Sequence, residues 1–363
     1  MSLVRSMPRT ALWRWLPPAS MIVPVATVLL TLLLGLLLIA LTNVPVPDAI
    51  DAFIDGAFGS GYVIAASINR AVAYTLVGLG FIVAARANLT NVGGEGQIAV
   101  GGMAATAVAL YGGAEHLPLG LAFLWPMAVA VVAGAAWGAL AGILKVKSGT
   151  NEVISTLLLT FIGIWLLYWS VQSVSLLRRP MTTSATLPES LEIPDPTRLP
   201  LLTGDPSVPL NIGLPITIVL AFAVWLVLAK TVFGWQLRAV GLNERAARRA
   251  GIAHAGITVA AMAIAGAFGG LAGAVMLQGD QYLLKVGFSS GYGFDGLVIG
   301  LLARGSPLGV VAGALLFGFL RSGGINMEMV AQVPSAIVMV IQGLIVVSLA
   351  AMSFWLDRAK VMR

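Results

Sequence analysis

The sequence predicts an all-α polytopic membrane protein with about ten transmembrane segments. Three observations carry that expectation. Of 363 residues, 58% are hydrophobic and 10% charged, with a mean hydropathy of +0.95, whereas soluble domains carry roughly 25% charge. The apolar residues run in stretches near twenty, the length of a bilayer-crossing helix, and lack the alternation of barrel strands. The Lys and Arg residues gather in short loops, the bias that orients membrane helices. The net charge of +6 therefore implies no nucleic-acid partner. With no Cys there is no disulfide and no thiolate metal site, and the compartment is not identified by that absence.

Arg5, Arg9 and Arg14 precede an apolar run from Met21 to Thr42. That run is longer than a signal-peptide core and no small-residue cleavage site follows it. Residues 1–21 are thus expected to be a cytoplasmic N-terminus and 22–42 an uncleaved first span. An external loop with Pro45, Pro47, Asp48, Asp51 and Asp55 leads to span two at 62–85, which ends at Arg86. Spans three to five follow at 89–111, 123–144 and 153–175, with Lys145 and Lys147 in the turn between the last two. A long polar segment, 178–211, reads as an external loop, and span six occupies 213–229. The basic stretch 230–255 is a cytoplasmic loop before span seven at 256–277. Spans at 291–303, 308–320 and 333–353 complete one permease domain over 22–353, with a basic tail at 354–363. Ten crossings place both termini and every strongly basic loop inside. The eighth and ninth are too short for a full crossing, which points to broken or re-entrant helices.

An internal echo supports this topology. Gly93, Glu95 and Gly96 form a Gly-x-acid-Gly pattern that returns at Gly293, Asp295 and Gly296. Setting aside spans one and six leaves two quartets, and the motif opens the second member of each, in opposite directions. That is an inverted repeat of two four-helix halves with Gly-interrupted helices, the arrangement that marks a transporter's central site. Acids at membrane depth usually face a bundle interior or a wet cavity.

The substrate path is accordingly expected along Asn69, Asn88, Asn91, Glu95, Gln97, Asn151, Glu152, Tyr292, Phe294 and Asp295. Amides and carboxylates there offer donors and acceptors to a sugar hydroxyl or base edge, and Tyr292 or Phe294 could stack on a base. Interhelical hydrogen bonding is the competing role for the Asn91–Gln97 group. Asn151 with Glu152 also has the form of an ordinary helix cap. Arg70 is equally a path or a packing residue, and Asp295 has Arg304 or Lys285 as ion-pair candidates. His116 and His254 lie at opposite ends of the membrane and form no metal site.

In the basic loop, Asn243 opens a short helical pattern with Ala246, Ala247 and Ala250 on one face and Gly251 at its end. Such a helix can dock into a groove on a soluble partner; an ordinary positive-inside loop is the alternative. The segment resembles the coupling segment of ABC-importer permeases, Glu-Ala-Ala followed by Gly. Arg245-Ala246-Ala247 with Gly251 keeps the spacing, although Arg245 stands at the Glu position and Glu244 lies one place earlier. The resemblance extends to NVGGEGQ at 91–97, SGTNEVISTLLL at 148–159, RAVGLN at 238–243 and GYGFDGLVIGLLAR at 291–304. In order and spacing these blocks resemble the nucleoside and simple-sugar group of bacterial ABC-importer permeases, related to the ribose and branched-chain amino-acid permeases.

The resemblance implies a bacterial inner-membrane subunit that imports nucleosides, or else ribose or another simple sugar. It implies two ATP-binding cassette partners holding ATP and Mg, a second permease subunit and an external substrate-binding lipoprotein. Gly241, Asn243, Glu244, Arg245, Ala246, Ala247, Arg248 and Gly251 then couple to the ATPase. The sequence itself has no phosphate-binding Gly-x-x-x-x-Gly-Lys-Ser/Thr loop and no HExxH. No cofactor and no catalytic residue are therefore expected in this chain. Inverted halves with central acids would equally suit a secondary transporter, the alternative reading.

Overall fold

A computed structural model describes residues 29–30, 33–41, 44–118, 120–180, 187–334, 336–345 and 347–348. The described secondary structure is helical, with isolated β-bridges only. Six helices are long and apolar enough to cross a membrane: Gly61–Arg86 (α2), Leu121–Ser148 (α4), Glu152–Gln172 (α5), Gly213–Lys230 (α6), His254–Gln281 (α9) and Pro307–Val330 (α11). The chain is an all-α polytopic membrane protein. Between these lie α1 (Val46–Phe58), α3 (Gly94–Tyr111), α7 (Val232–Leu242), α8 (Glu244–Arg249) and α10 (Tyr292–Leu302), followed by α12 (Ala336–Ile345).

Two expectations are corrected. The stretch after the first span is the helix α1, not a loop. Asp48, Asp51 and Asp55 are exposed, whereas Ala49, Ala52, Gly56 and Ala57 are buried, so three- and four-residue spacing makes it amphipathic. The ninth span is not short: α11 has 24 residues. The helix continues past 320 because polar groups there find partners. Arg70 Nη1 donates to Ser322 Oγ at 2.8 Å and Asn326 Nδ2 to the Ala52 carbonyl at 2.7 Å. The polar segment read as a loop is ordered over 187–211 against the end of α9. Ser190 N–H donates to the Leu284 carbonyl (2.8 Å), Leu199 N–H to that of Gln278 (2.9 Å), and Gln278 Nε2 to that of Thr197 (2.6 Å). Residues 1–21, the start of the first span at 22–28 and the tail at 354–363 lie outside the described residues.

The chain divides into two compact units, Met1–Ala52 with Gly324–Arg363, and Phe53–Gly323. In the smaller, residues 33–40 are helical, and a Cβ built on Gly35 would lie 3.5 Å from Ile341. In the larger, glycine contacts fix helix directions. Gly296 meets Val77 and Gly300 meets Phe81, so α10 runs parallel to α2. Gly80 meets Ala265 while Val72 and Val275 both approach Gly213, so α9 is antiparallel to α2. Gly318 meets Ser67 and Gly78 meets Val310, giving α11 the same sense as α9. Gly96 meets Thr160, setting α3 parallel to α5, and Gly269 against Gln97 with Gly273 against Ile98 sets α3 parallel to α9. Gly134 and Gly138 against Gly266 and Met262 set α4 antiparallel to α9. The order down, up, down, up for α2 to α5 is thus followed by up, down, up for α9 to α11.

The core seam is α4 on α9, where Gly134, Gly266 and Gly270 present backbone to backbone. A Cβ on Gly270 would fall onto the Ala130 carbonyl, and one on Gly266 onto that of Gly134. Without a hydrophobic drive between helices in lipid, such close approach supplies the packing. Gly270→Leu should therefore destabilise the fold by about 3 kcal/mol through overpacking. Gly256, with nothing within 4 Å of its built Cβ, should accept Ala with a gain of up to about 1 kcal/mol. Thermal midpoints of the two variants in detergent provide the check.

Candidate functional site

The two repeated motifs meet. Helix α3 begins at Gly94 and α10 at Tyr292. A Cβ on Gly293 would collide with the Glu95 backbone, and one on Gly94 would lie 3.1 Å from the Gly293 carbonyl oxygen. The Glu95 side chain closes the junction. Its Oε1 accepts the Gly291 N–H at 2.7 Å and its Oε2 the Gly293 N–H at 2.6 Å. Gly291, at φ +86°, has no side chain to cap α10, so the acid of one half satisfies the unpaired N–H groups of the other. The negative carboxylate also lies at the positive end of the α10 dipole. Glu95 is only 4% exposed.

The loop preceding α3 is fixed as firmly. Asn91 Oδ1 accepts the Gly93 N–H at 2.9 Å, and Asn91 and Gln97 exchange amide hydrogen bonds at 3.1 and 3.2 Å. Thr156 Oγ1 accepts the Val92 N–H at 3.2 Å, tying the loop to α5. Both amides are buried and mutually satisfied within the loop and first turn of α3.

Around the start of α10 lies a polar and aromatic group that sequence reading largely missed. Tyr74 donates to Asp295 Oδ2 at 3.1 Å. Its ring stacks on Tyr292, centroids 4.6 Å apart and planes at 18°, and Phe317 meets it edge-on. Arg321 Nη2 donates to the Ser290 carbonyl at 3.3 Å and lies within electrostatic range of Asp295. Arg70 acts likewise on Tyr292. The cation nearest in effect to Asp295 is thus Arg321. Arg304, at the other end of α10, is about 13 Å along the helix axis from it. Two signals were available: Arg70 and Tyr74 stand four apart on one face of α2, and Arg321 with Ser322 interrupts an apolar run. Tyr292 turns its ring to Tyr74, while Phe294 is 41% exposed.

The remaining path candidates lie elsewhere. Asn69 Nδ2 donates to the Pro209 carbonyl at 2.6 Å, anchoring the loop before α6. Asn88, at φ +58°, is an exposed turn residue after α2. Asn151 caps α5 by accepting the Val153 N–H at 2.8 Å, and Glu152 pairs with Lys145 at 2.6 Å.

The basic segment forms two helices, α7 and α8, separated by Asn243. Asn243 Oδ1 caps α8 through the Ala246 N–H at 3.0 Å, and Gly251 follows the helix at φ +81°. Glu244 lies 3.6 Å from His254. Of the three alanines only Ala247 is buried; Arg245, Ala246, Arg248 and Ala250 are exposed. Gly241 packs so closely that a Cβ would meet the Arg86 carbonyl and lie 3.0 Å from Asn88 N.

Residues 63–350 match a family described as the permease component of the branched-chain amino acid transport system. The chain belongs to this permease family. Among its relatives, a glucose ABC transporter permease protein of Haloferax volcanii is 33% identical over 96% of this chain and 91% of its own. The guanosine ABC transporter permease protein NupP of Bacillus subtilis is 32% identical, covering 91% and 93%. The nucleoside ABC transporter permease protein NupB of Lactococcus lactis is 32% identical, covering 87% and 89%. No solved structure matches.

For this permease the Glu95 junction predicts a graded mutational response. Glu95→Gln keeps one acceptor but sets an NH2 against an N–H, and should cost about 2 kcal/mol of stability, the worth of a charge-assisted hydrogen bond. Tyr74→Phe removes one hydroxyl and should cost about 1 kcal/mol. Denaturation midpoints in detergent would check both, and equal effects would contradict the cap.

Proposed function

We propose that this permease is the membrane subunit of an ATP-driven importer of nucleosides. The observation that carries the reading is the junction at Glu95: two oppositely directed short helices, α3 and α10, start against one another inside a helix bundle of an ABC-type permease chain. Helices broken at the middle of a bundle characterise alternating-access sites, and the guanosine and nucleoside permeases among the relatives support the substrate class. In this reading Asp295, Tyr74, Tyr292, Arg70 and Arg321 border the path, with Glu95, Asn91 and Gln97 holding its frame. The glucose permease relative favours a second reading, a hexose as cargo, since the same hydroxyl-binding groups would serve it.

The chain is proposed to cross the bacterial inner membrane with both termini in the cytoplasm, through ten apolar segments of which α3 and α10 are the discontinuous pair. Charge bias supports this: the 230–254 stretch has one Lys and four Arg against Glu244. ATP and Mg are assigned to two partner ATP-binding cassettes, with a second permease subunit completing the membrane core and a substrate-binding lipoprotein outside. The ordered 187–211 segment is the surface offered to that lipoprotein. Closure of the ATPases would press on α8 and reach α2 through Gly241. Coupling of this kind requires each state to have its own contacts.

Proteoliposomes holding the chain with its partner permease, ATPases and binding protein would take up labelled guanosine, adenosine or uridine only with ATP. Gly251→Asp, which places a side chain at a left-handed position beside α8, should lower that uptake at least tenfold while the complex still assembles. Uptake of glucose or ribose alone would move the substrate to the second reading, and uptake indifferent to ATP would overturn the importer.

A further inference from the structure

Helix α10 buries one side only. Tyr292, Gly293, Gly296, Ile299 and Gly300 are buried, whereas Phe294 on the opposite side is 41% exposed and Asp295, between the two, is partly exposed. A lone exposed apolar side chain needs no explanation, but polar groups surround this one. Ser290, one turn earlier, is exposed, and Arg321 Nη2 donates to its carbonyl at 3.3 Å. Ionisable groups inside a membrane bundle face its interior or a wet cavity, so this part of α10 is not a lipid face. Three groups here are open to a ligand. The Phe294 ring has no aromatic partner among the described residues, while the Tyr292 ring already stacks on Tyr74. The Phe294 N–H has no acceptor among them either. The N–H groups of Gly291 and Gly293 go to Glu95, that of Tyr292 to the Ser289 carbonyl and that of Asp295 to the Gly291 carbonyl. Asp295 Oδ2 accepts from Tyr74, and Oδ1 has no hydrogen-bond partner among the described residues.

We propose that Phe294 is a specificity-determining residue of the transport path: its ring takes the face of a nucleobase while Asp295 Oδ1 accepts from a ribose hydroxyl. The assignment rests on the nucleoside reading above and deepens it. Neighbouring residues on a helix diverge by about 100°, so ring and carboxylate flank one edge of α10. A nucleoside, whose base and sugar are joined by a single bond, spans both. The Phe294 N–H adds a donor for a further hydroxyl or a base carbonyl. A hexose brings hydroxyls for Asp295 but no π face for the ring, so Phe294 separates the two cargoes. Every base has such a face and stacking tolerates its identity. Selection here is therefore for nucleosides as a class, not for one base.

The test uses the assembled transporter in proteoliposomes and follows ATP-dependent uptake of labelled guanosine and uridine. Phe294→Leu keeps an apolar side chain of similar bulk and removes the ring. It should lower uptake of both nucleosides about tenfold, the size of one base–aromatic stack, with the thermal midpoint unchanged. Phe294→Tyr restores the ring and should return uptake to within about twofold of wild type. Photolabelling of the wild-type transporter with an 8-azido purine nucleoside needs no variant, and its adduct should lie within 290–295. Uptake unchanged in Phe294→Leu, uptake lost equally in Phe294→Tyr, or an adduct confined to other segments would overturn the assignment and leave the nucleoside reading intact. A wild-type transporter that takes up no nucleoside would overturn that reading and the assignment with it.

Discussion

The structure of the larger unit depends on one requirement: a helix that starts among packed neighbours needs acceptors for its first N–H groups. A buried donor left unsatisfied costs several kcal/mol. Soluble helices solve this with a Ser or Asp at the cap, yet α10 begins at Gly291, where the chain must turn at φ +86° and no side chain is present. The acceptor comes instead from Glu95 on α3, and the two hydrogen bonds, at 2.7 and 2.6 Å, bind α3 to the start of α10. The cost of burying a carboxylate is offset by the same contact, because the α10 dipole and both N–H groups stabilise the charge.

The glycines follow from that junction. For Glu95 to reach Gly291 and Gly293, α3 and α10 must touch through backbone, which leaves room at Gly293 for hydrogen only and crowds Gly94. The neighbours then close around the pair with the same economy. Gly96 lies on Thr160 of α5, Gly101 on Gly270 of α9 and Gly296 on Val77 of α2. A side chain at any of these would hold the helices apart and take the carboxylate out of reach. Polar cap and small-residue packing are therefore one device: the first sets where the helices must meet, the second lets them.

Much of this was legible in the sequence, and the limits have physical causes. The Gly-x-acid-Gly echo, its opposite senses and the short α10 could be read because Gly and an acid are rare company in a hydrophobic run. What pairs with the acid was not readable, since the partner of Glu95 is a backbone N–H, which leaves no mark in a sequence. Tyr74 was lost in an apolar helix where a Tyr is unremarkable. α11 was cut short because Arg321 and Ser322 look like a loop until Arg70, about 250 residues away, supplies the partner. α1 was read as a loop from its three acids, although their spacing is helical and their face is exposed. Hydropathy separates lipid from water; it does not separate a loop from an amphipathic surface helix.

The same junction is tied to the basic segment through a short run of chain. Gly241 on α7 rests on the Arg86 carbonyl and the turn at Asn88. Three residues beyond that turn, Asn91 shapes the loop by accepting the Gly93 N–H, and Glu95 follows as the second residue of α3. The loop is short and its backbone is tied to Thr156, so it has little slack to absorb a displacement. Gly241 and the Glu95 cap are thus joined by a short run of backbone in which each turn is held by a contact of its own: Gly241 at the turn, Asn91 and Thr156 along the loop, Glu95 at the start of α10.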